Sequence, residues 1–127
     1  MTSPTILIVD DEPDVCWAVA SLLKSRGYSV LTVGSGSEAL SLLRQRCYYR
    51  LFVDAKLQDM DGLEVARQAR ALCPDTHVAL ISAYYYRGDP AIISAQRCGT
   101  ICCFIPKPFS HQEVLKVVAD PPIIQGG

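Results

Sequence analysis

Ile6-Leu-Ile-Val-Asp-Asp-Glu-Pro13 is a four-residue apolar run that breaks off into three carboxylates and a proline. A run this short, without polar alternation, is the pattern of a strand buried on both faces of a parallel sheet. The residues that follow change period. Val15, Ala18, Val19, Leu22 and Leu23 form one helical stripe, opened by Pro13 and closed by Gly27. A strand, an acidic turn and a helix therefore open the chain.

The same unit recurs outward from there. Ser29-Val-Leu-Thr-Val33, Leu51-Phe-Val53, Val78-Ala-Leu-Ile81 and Cys102-Cys-Phe-Ile105 are further continuous apolar runs. Each is followed by helix punctuation. Ser35-Gly-Ser-Glu38 is a capping-box pattern ahead of Ala39, Leu40 and Leu43. Leu63, Ala66, Ala69 and Leu72 make a stripe stopped before Pro74, and Asp89-Pro90 opens a helix with Ile92 and Ala95 that Gly99 ends. Ser110-His-Gln-Glu113 is a second capping box before Val114, Leu115 and Val118. A (βα)₅ alternation with short connections predicts an α/β, doubly wound, five-stranded parallel sheet with helices on both faces. Five strands favour the flavodoxin-like order 2-1-3-4-5.

The size and balance of the chain agree with one such domain. It has 127 residues, 50% hydrophobic and 20% charged, enough to bury a core without staples. A formal net charge of −1 excludes a global basic field for nucleic acid. Direct nucleic-acid contact by this domain is not expected. Residues 1–119 read as the domain and 120–127, rich in Pro and Gly, as a tail or the start of a linker to an output domain. The N-terminus has no basic region, and Ile6-Leu-Ile-Val9 is too short for a signal peptide. No stretch reaches the length of a membrane span, so a cytoplasmic protein is expected. The six cysteines contain no C-x-x-C pair and read as reduced, mostly buried small hydrophobes. Adjacent Cys102 and Cys103 on a strand would face opposite sides.

In sheets of this kind ligands bind beyond the carboxyl ends of the strands, where the strand order reverses. Strand 1 runs into Asp10-Asp11-Glu12, strand 3 into Asp54, strand 4 ends at Ser82 and strand 5 at Lys107. Strand 2, the expected edge, ends in Val33-Gly34. Asp10, Asp11 and Asp54 would converge, and like charges that close need compensation. A hard divalent cation meets that need, and Mg²⁺ fits because it takes few carboxylates and keeps waters or phosphate oxygens. A carboxylate nucleophile, a metal, a lysine and a hydroxyl together make a phosphoryl-transfer site.

Each part alone has a plainer reading. Asp-Asp-Glu before Pro13 is also an acidic helix N-terminus, and a single Asp after a strand is a common turn residue. Ser82 alone is a loop serine and Lys107 a solvated lysine. Joint placement on four strand ends is what separates the readings. His77 and His111 lack ligand-spaced neighbours, and Gly34-Ser-Gly36 does not follow the first strand, as a dinucleotide loop would. Tyr84-Tyr-Tyr86 fits either a partner-binding patch or loop packing.

Those residues resemble a known family. Ile6-Leu-Ile-Val-Asp-Asp-Glu-Pro13, Phe52-Val-Asp54 with Asp59-Met-Asp-Gly62, Ile81-Ser-Ala83 and Phe104-Ile-Pro-Lys-Pro-Phe109 are similar, in order and spacing, to the receiver domain of bacterial two-component response regulators. The resemblance implies that Asp54 is the phosphoacceptor. It implies that Asp11, Asp54 and the Lys56 backbone carbonyl hold Mg²⁺, with Asp10 acting through water. Ser82, the Ala83 N–H and Lys107 would bind phosphoryl oxygens, and Ser82 with Phe104 would form the switch. Lys107–Pro108 would be cis. The expected partner is a sensor histidine kinase or phosphotransfer protein, with a homodimer through helix 4, strand 5 and helix 5 as a further implication. Such a domain modifies itself and is not a turnover enzyme. Lys56 and Tyr84, two residues beyond Asp54 and Ser82, would tune the lifetime of the acyl phosphate; a tenfold change needs only about 1.4 kcal/mol. Gln58 stands where the family usually has proline, and Cys98-Gly99 replaces the common Ala-Gly. Ala71-Leu-Cys-Pro-Asp75 resembles receivers attached to transcription regulators.

Two other classes fit parts of the pattern. A phosphorylation-silent interaction module on the same fold would not need the intact acidic set. An aspartyl-phosphate phosphohydrolase would carry its acceptor after the first strand, not the third.

Overall fold

A computed structural model describes residues 4–123. The N-terminal Met1–Ser3 and the last four residues of the expected 120–127 tail lie outside the described residues. Ten elements alternate: β1 (Thr5–Val9), α1 (Pro13–Ser25), β2 (Ser29–Val33), α2 (Gly36–Gln45), β3 (Arg50–Asp54), α3 (Gly62–Leu72), β4 (His77–Ser82), α4 (Pro90–Arg97), β5 (Cys103–Pro106) and α5 (His111–Val118). All strand pairs are parallel, in the order β2-β1-β3-β4-β5. This is the predicted doubly wound sheet.

The sheet divides two apolar cores. On one face Leu7, Leu51, Val53 and Leu80 meet Ala39, Leu40 and Leu43 of α2, Leu63, Val65 and Ala66 of α3, and Ile92 of α4. On the other, Ile6, Ile8, Phe52 and Ile81 meet Val19 and Leu23 of α1 and Val114 and Val117 of α5. Alternation along each central strand thus feeds both layers, which is why the central runs are unbroken in hydrophobicity. β2 departs from that expectation. As the edge strand it is covered on one side only, and Leu31 is exposed. In α1 the buried residues are Val19, Ala20 and Leu23, while Ala18 of the expected stripe is exposed.

Caps mark the helix starts. Asp89 accepts the Ala91 N–H at 2.9 Å, and Ser110 and Glu113 complete a capping box. The Ser35 box is only half formed: Ser35 Oγ accepts from Glu38 N, but its own hydroxyl turns onto Glu38 Oε1. The missing caps come from elsewhere, because Asp59 takes the Gly36 and Ser37 N–H groups at 2.9 Å each. Gly62 starts α3 hard against β3; a Cβ there would overlap the Asp54 carbonyl oxygen.

The cysteines are not mostly buried as expected, since only Cys73 and Cys103 are, and the expectation fails at two further places. Cys47, in the α2–β3 connection, and Cys73, the C-cap of α3, form a disulfide with Cα atoms 5.6 Å apart. They are 26 residues apart in sequence, and only the parallel run of α2 and α3 brings them together. Cys102 precedes β5 and does not belong to it, so strand alternation does not apply, and its sulfur lies 3.4 Å from that of Cys103. Among the described residues no helix is long and apolar enough to cross a membrane.

Candidate functional site

At the carboxyl end of the sheet, β1, β3, β4 and β5 deliver their last residues to one place. β3 ends on Asp54 itself, buried, with Asp10 buried beside it. Lys107 reaches in from beyond β5. Its Nζ lies 2.9 Å from Asp54 Oδ1, 3.2 Å from Asp10 Oδ2 and 3.2 Å from Glu12 Oε1. Asp10, Asp11 and Glu12 place one carboxylate oxygen each within 4.8 Å of one another. Glu12 therefore joins the acidic group, which the sequence had not singled out; its place in the Asp-Asp-Glu run was the available signal.

The electrostatics follow from burial. Desolvation pushes the Asp54 carboxyl above its ordinary value, although the Lys107 ammonium and the Lys56 N–H (3.1 Å to Oδ2) pull the other way. Asp10 is also raised, first by burial and then by Asp54, against the N–H of Glu12 at 2.9 Å. Burial disfavours the Lys107 ammonium, but the Asp54 and Asp10 carboxylates outweigh it and hold its pKa high. Asp10 Oδ2 is buried and makes no hydrogen bond, meeting only the Lys107 charge. A buried carboxylate oxygen whose one polar partner is the Lys107 ammonium, beside two more acidic side chains, is a donor set that fits a hard divalent cation.

The remaining expected residues sit around a cleft of about 150 Å³ lined by Glu12, Asp54, Lys56, Ser82, Ala83, Tyr84 and Lys107. Ser82 is buried, and its Oγ accepts the N–H groups of Tyr84 and Tyr85 at 2.8 Å each. Both lone pairs are then engaged, and the hydroxyl proton is left to donate. The Lys56 side chain leaves the acidic group, with Nζ 3.7 Å from Asp61 and 4.4 Å from the Tyr84 ring centroid. Phe104 lies outside the cleft, buried in the α2–α3–α4 core. Lys107–Pro108 is cis. Arg87, which no sequence pattern had marked, donates to the Phe104 carbonyl and pairs with Glu113, each at 3.2 Å.

The model of the response regulator receiver domain matches residues 6–119. The transcriptional regulatory protein ZraR of Escherichia coli is 34% identical over 79 residues, covering 62% of this chain and 18% of that protein. The probable transcriptional regulatory protein TcrX of Mycobacterium tuberculosis is 33% identical over 111 residues, 87% of this chain and 46% of that one. The chain thus spans less than half the length of either relative. A CheY-like receiver domain protein from Methanospirillum hungatei superimposes with a TM-score of 0.84 at 23% identity, over 94% of this chain and 93% of that chain. The response regulator TrrA from Thermotoga maritima, solved in complex with Mg²⁺ and beryllofluoride, gives a TM-score of 0.78 at 28% identity, over 91% and 96%. Matched by the family's model over residues 6–119, nearly its whole length, this chain belongs to the response regulator receiver domain family.

Proposed function

We propose that this receiver takes a phosphoryl group from the phosphohistidine of a sensor kinase or phosphotransfer protein onto Asp54, in a Mg²⁺-dependent step. The observation that carries the reading is Lys107 Nζ at 2.9 Å from Asp54 Oδ1 and 3.2 Å from the buried Asp10 Oδ2. An Asp54 oxygen forms the new bond to phosphorus, and the phosphorus–nitrogen bond breaks with its electron pair on the imidazole. Asp11, Asp54 and the Lys56 carbonyl, with Asp10 through water, are the groups that would hold Mg²⁺, which when bound neutralises charge on the transferred oxygens. Lys107 supplies a second positive charge from the β5 side. Ser82 and Ala83 line the same cleft, and the Ser82 hydroxyl and the Ala83 N–H would serve the remaining oxygens.

The signal then leaves through β4 and β5. When Ser82 Oγ turns to a phosphoryl oxygen it gives up geometry that now orders Tyr84 and Tyr85. Phe104, paired with Leu80 next to it on β4, responds, and the α4–β5–α5 face repacks. That face is also the proposed homodimer surface. Output through a transcription module is our reading from the names of the relatives, and the proposed unit is residues 1–119 with a linker beyond. The domain acts in the cytoplasm as a switch, without turnover beyond its own slow dephosphorylation. Lys56 and Tyr84, at the mouth of the cleft, slow that loss by crowding the approach of water.

Treating the protein with acetyl phosphate and Mg²⁺ tests the assignment by mass spectrometry. One phosphoryl group is expected, mapped to Asp54 and absent from Asp54→Asn. Labelling that persists in Asp54→Asn at another residue overturns it.

A further inference from the structure

The Cys47–Cys73 bond sits oddly with the proposed setting. In reducing compartments disulfides are rare, and those found are mostly transient, catalytic or redox-sensing. Its two sulfurs are unequal in access: Cys47 is an exposed connection residue, whereas Cys73 is 1% exposed. The bond ties the far ends of α2 and α3. At their near ends the same two helices are tied again, by Asp59 on the Gly36 and Ser37 N–H groups and by Met60, which fills the space a Cβ at Gly36 would take. Asp59 and Met60 belong to the loop that follows Asp54 and contains Lys56. α2 is therefore a lever held at one end by the disulfide and at the other by the loop expected to hold the metal.

We propose that Cys47 and Cys73 are a reversible thiol–disulfide exchange site, attacked by dithiols at Cys47, whose state sets how firmly the loop after Asp54 is held. The inference rests on the receiver reading for its functional consequence, though not for its chemistry. A dithiol thiolate attacks Cys47 Sγ; the bond to Cys73 Sγ breaks, and the electron pair leaves on Cys73, which takes up a proton. The second sulfur of the reagent then attacks the reagent sulfur of the mixed disulfide, breaking its bond to Cys47 Sγ; Cys47 leaves as thiolate and takes up the second proton, and the reagent closes into its own disulfide. Two electrons and two protons pass to the protein pair. Attack at Cys73 is blocked by the core around it, which includes Leu43, whose carbonyl faces its sulfur at 3.8 Å.

The whole chain, equilibrated with mixtures of reduced and oxidised dithiothreitol, is alkylated and mapped by mass spectrometry. Cys47 and Cys73 are expected to change together and reversibly, while Cys16, Cys98, Cys102 and Cys103, free in the structure, stay alkylatable throughout. Mg²⁺ binding is followed through the fluorescence of Trp17, which lines the groove that also holds Asp10 and Asp11. The reduced form should bind Mg²⁺ about fivefold more weakly, the low end of coupling between separate sites, and take up acetyl phosphate correspondingly more slowly. Cys47→Ser, at an exposed position, should behave as the reduced form at every ratio. A pair that stays closed in millimolar dithiol, or open at every ratio, overturns the exchange site. Exchange with identical Mg²⁺ affinity and uptake in both forms overturns the lever. Absent uptake in both forms would sink the receiver reading instead, and the thiol mapping would still decide the exchange.

Discussion

The two ends of the sheet both bury charge, and they treat it in opposite ways. At the amino end, Arg50 is 3% exposed. Its Nε donates to the Val117 carbonyl at 2.7 Å, Nη1 to Tyr49 and Nη2 to Ala119 at 2.8 Å each, and its guanidinium lies 4.0 Å from the Tyr49 ring centroid. The carbonyls at the end of α5 gain the donors that a helix C-terminus lacks, and Tyr49 Oη adds one to Val118 at 2.8 Å. That charge is saturated by the chain itself. At the carboxyl end, Asp10 keeps a buried oxygen without a hydrogen bond, and one lysine is shared among three carboxylates. Saturation marks a structural charge; a deficit left open marks one that waits for a ligand.

The contrast can be broken most easily at Arg50. Arg50→Met removes charge-assisted bonds and strands buried carbonyls, so it should cost about 3 kcal/mol in denaturant unfolding. Phosphoryl uptake per folded molecule should not change. A loss of uptake in the folded variant would show that the amino end is not purely structural.

The next effect is the ligand's own. Mg²⁺ at ten times its dissociation constant should stabilise the protein by about 1.4 kcal/mol. Thermal unfolding with and without the ion reads this directly, and Asp11→Ala should lose the gain. An equal gain in Asp11→Ala would place the cation elsewhere.

Lys107→Met sharpens the comparison further. Asp54 and Asp10, its two buried partners, already have raised pKa values and can take protons when the ammonium is removed, so the loss should be about 1 kcal/mol, smaller than at Arg50. A larger loss than for Arg50→Met would reverse the assignment of structural and open ends.

Tyr84 should give the smallest effect. The ring is 68% exposed and rests against Lys56, so it covers the cleft only in part. Tyr84→Ala should speed loss of the acyl phosphate about threefold, well under 1 kcal/mol at the barrier. Phosphate release measured after removal of the donor gives the rate, and an unchanged rate in the folded variant would show that the ring does not shield the bond.

How much of this was legible in the chain depends on distance along it. The (βα)₅ order and the strand-end residues Asp10, Asp54, Ser82 and Lys107 could be read directly, because apolar period and turn punctuation are local signals and the topology rule then gathers the strand ends. Glu12 was visible only as part of an acidic run. What the sequence could not supply were pairings between remote segments: Arg50 with carbonyls 67 and 69 residues away, Lys107 with Glu12 across 95, Asp59 with the start of α2, and Cys47 with Cys73. Residue type alone argued for reduced, mostly buried cysteines; four of the six are reduced, but of those only Cys103 is buried. Only the side-by-side run of α2 and α3 brought two of their sulfurs within bonding reach, since a disulfide needs Cα atoms about 4.4–6.8 Å apart and no local pattern encodes that distance.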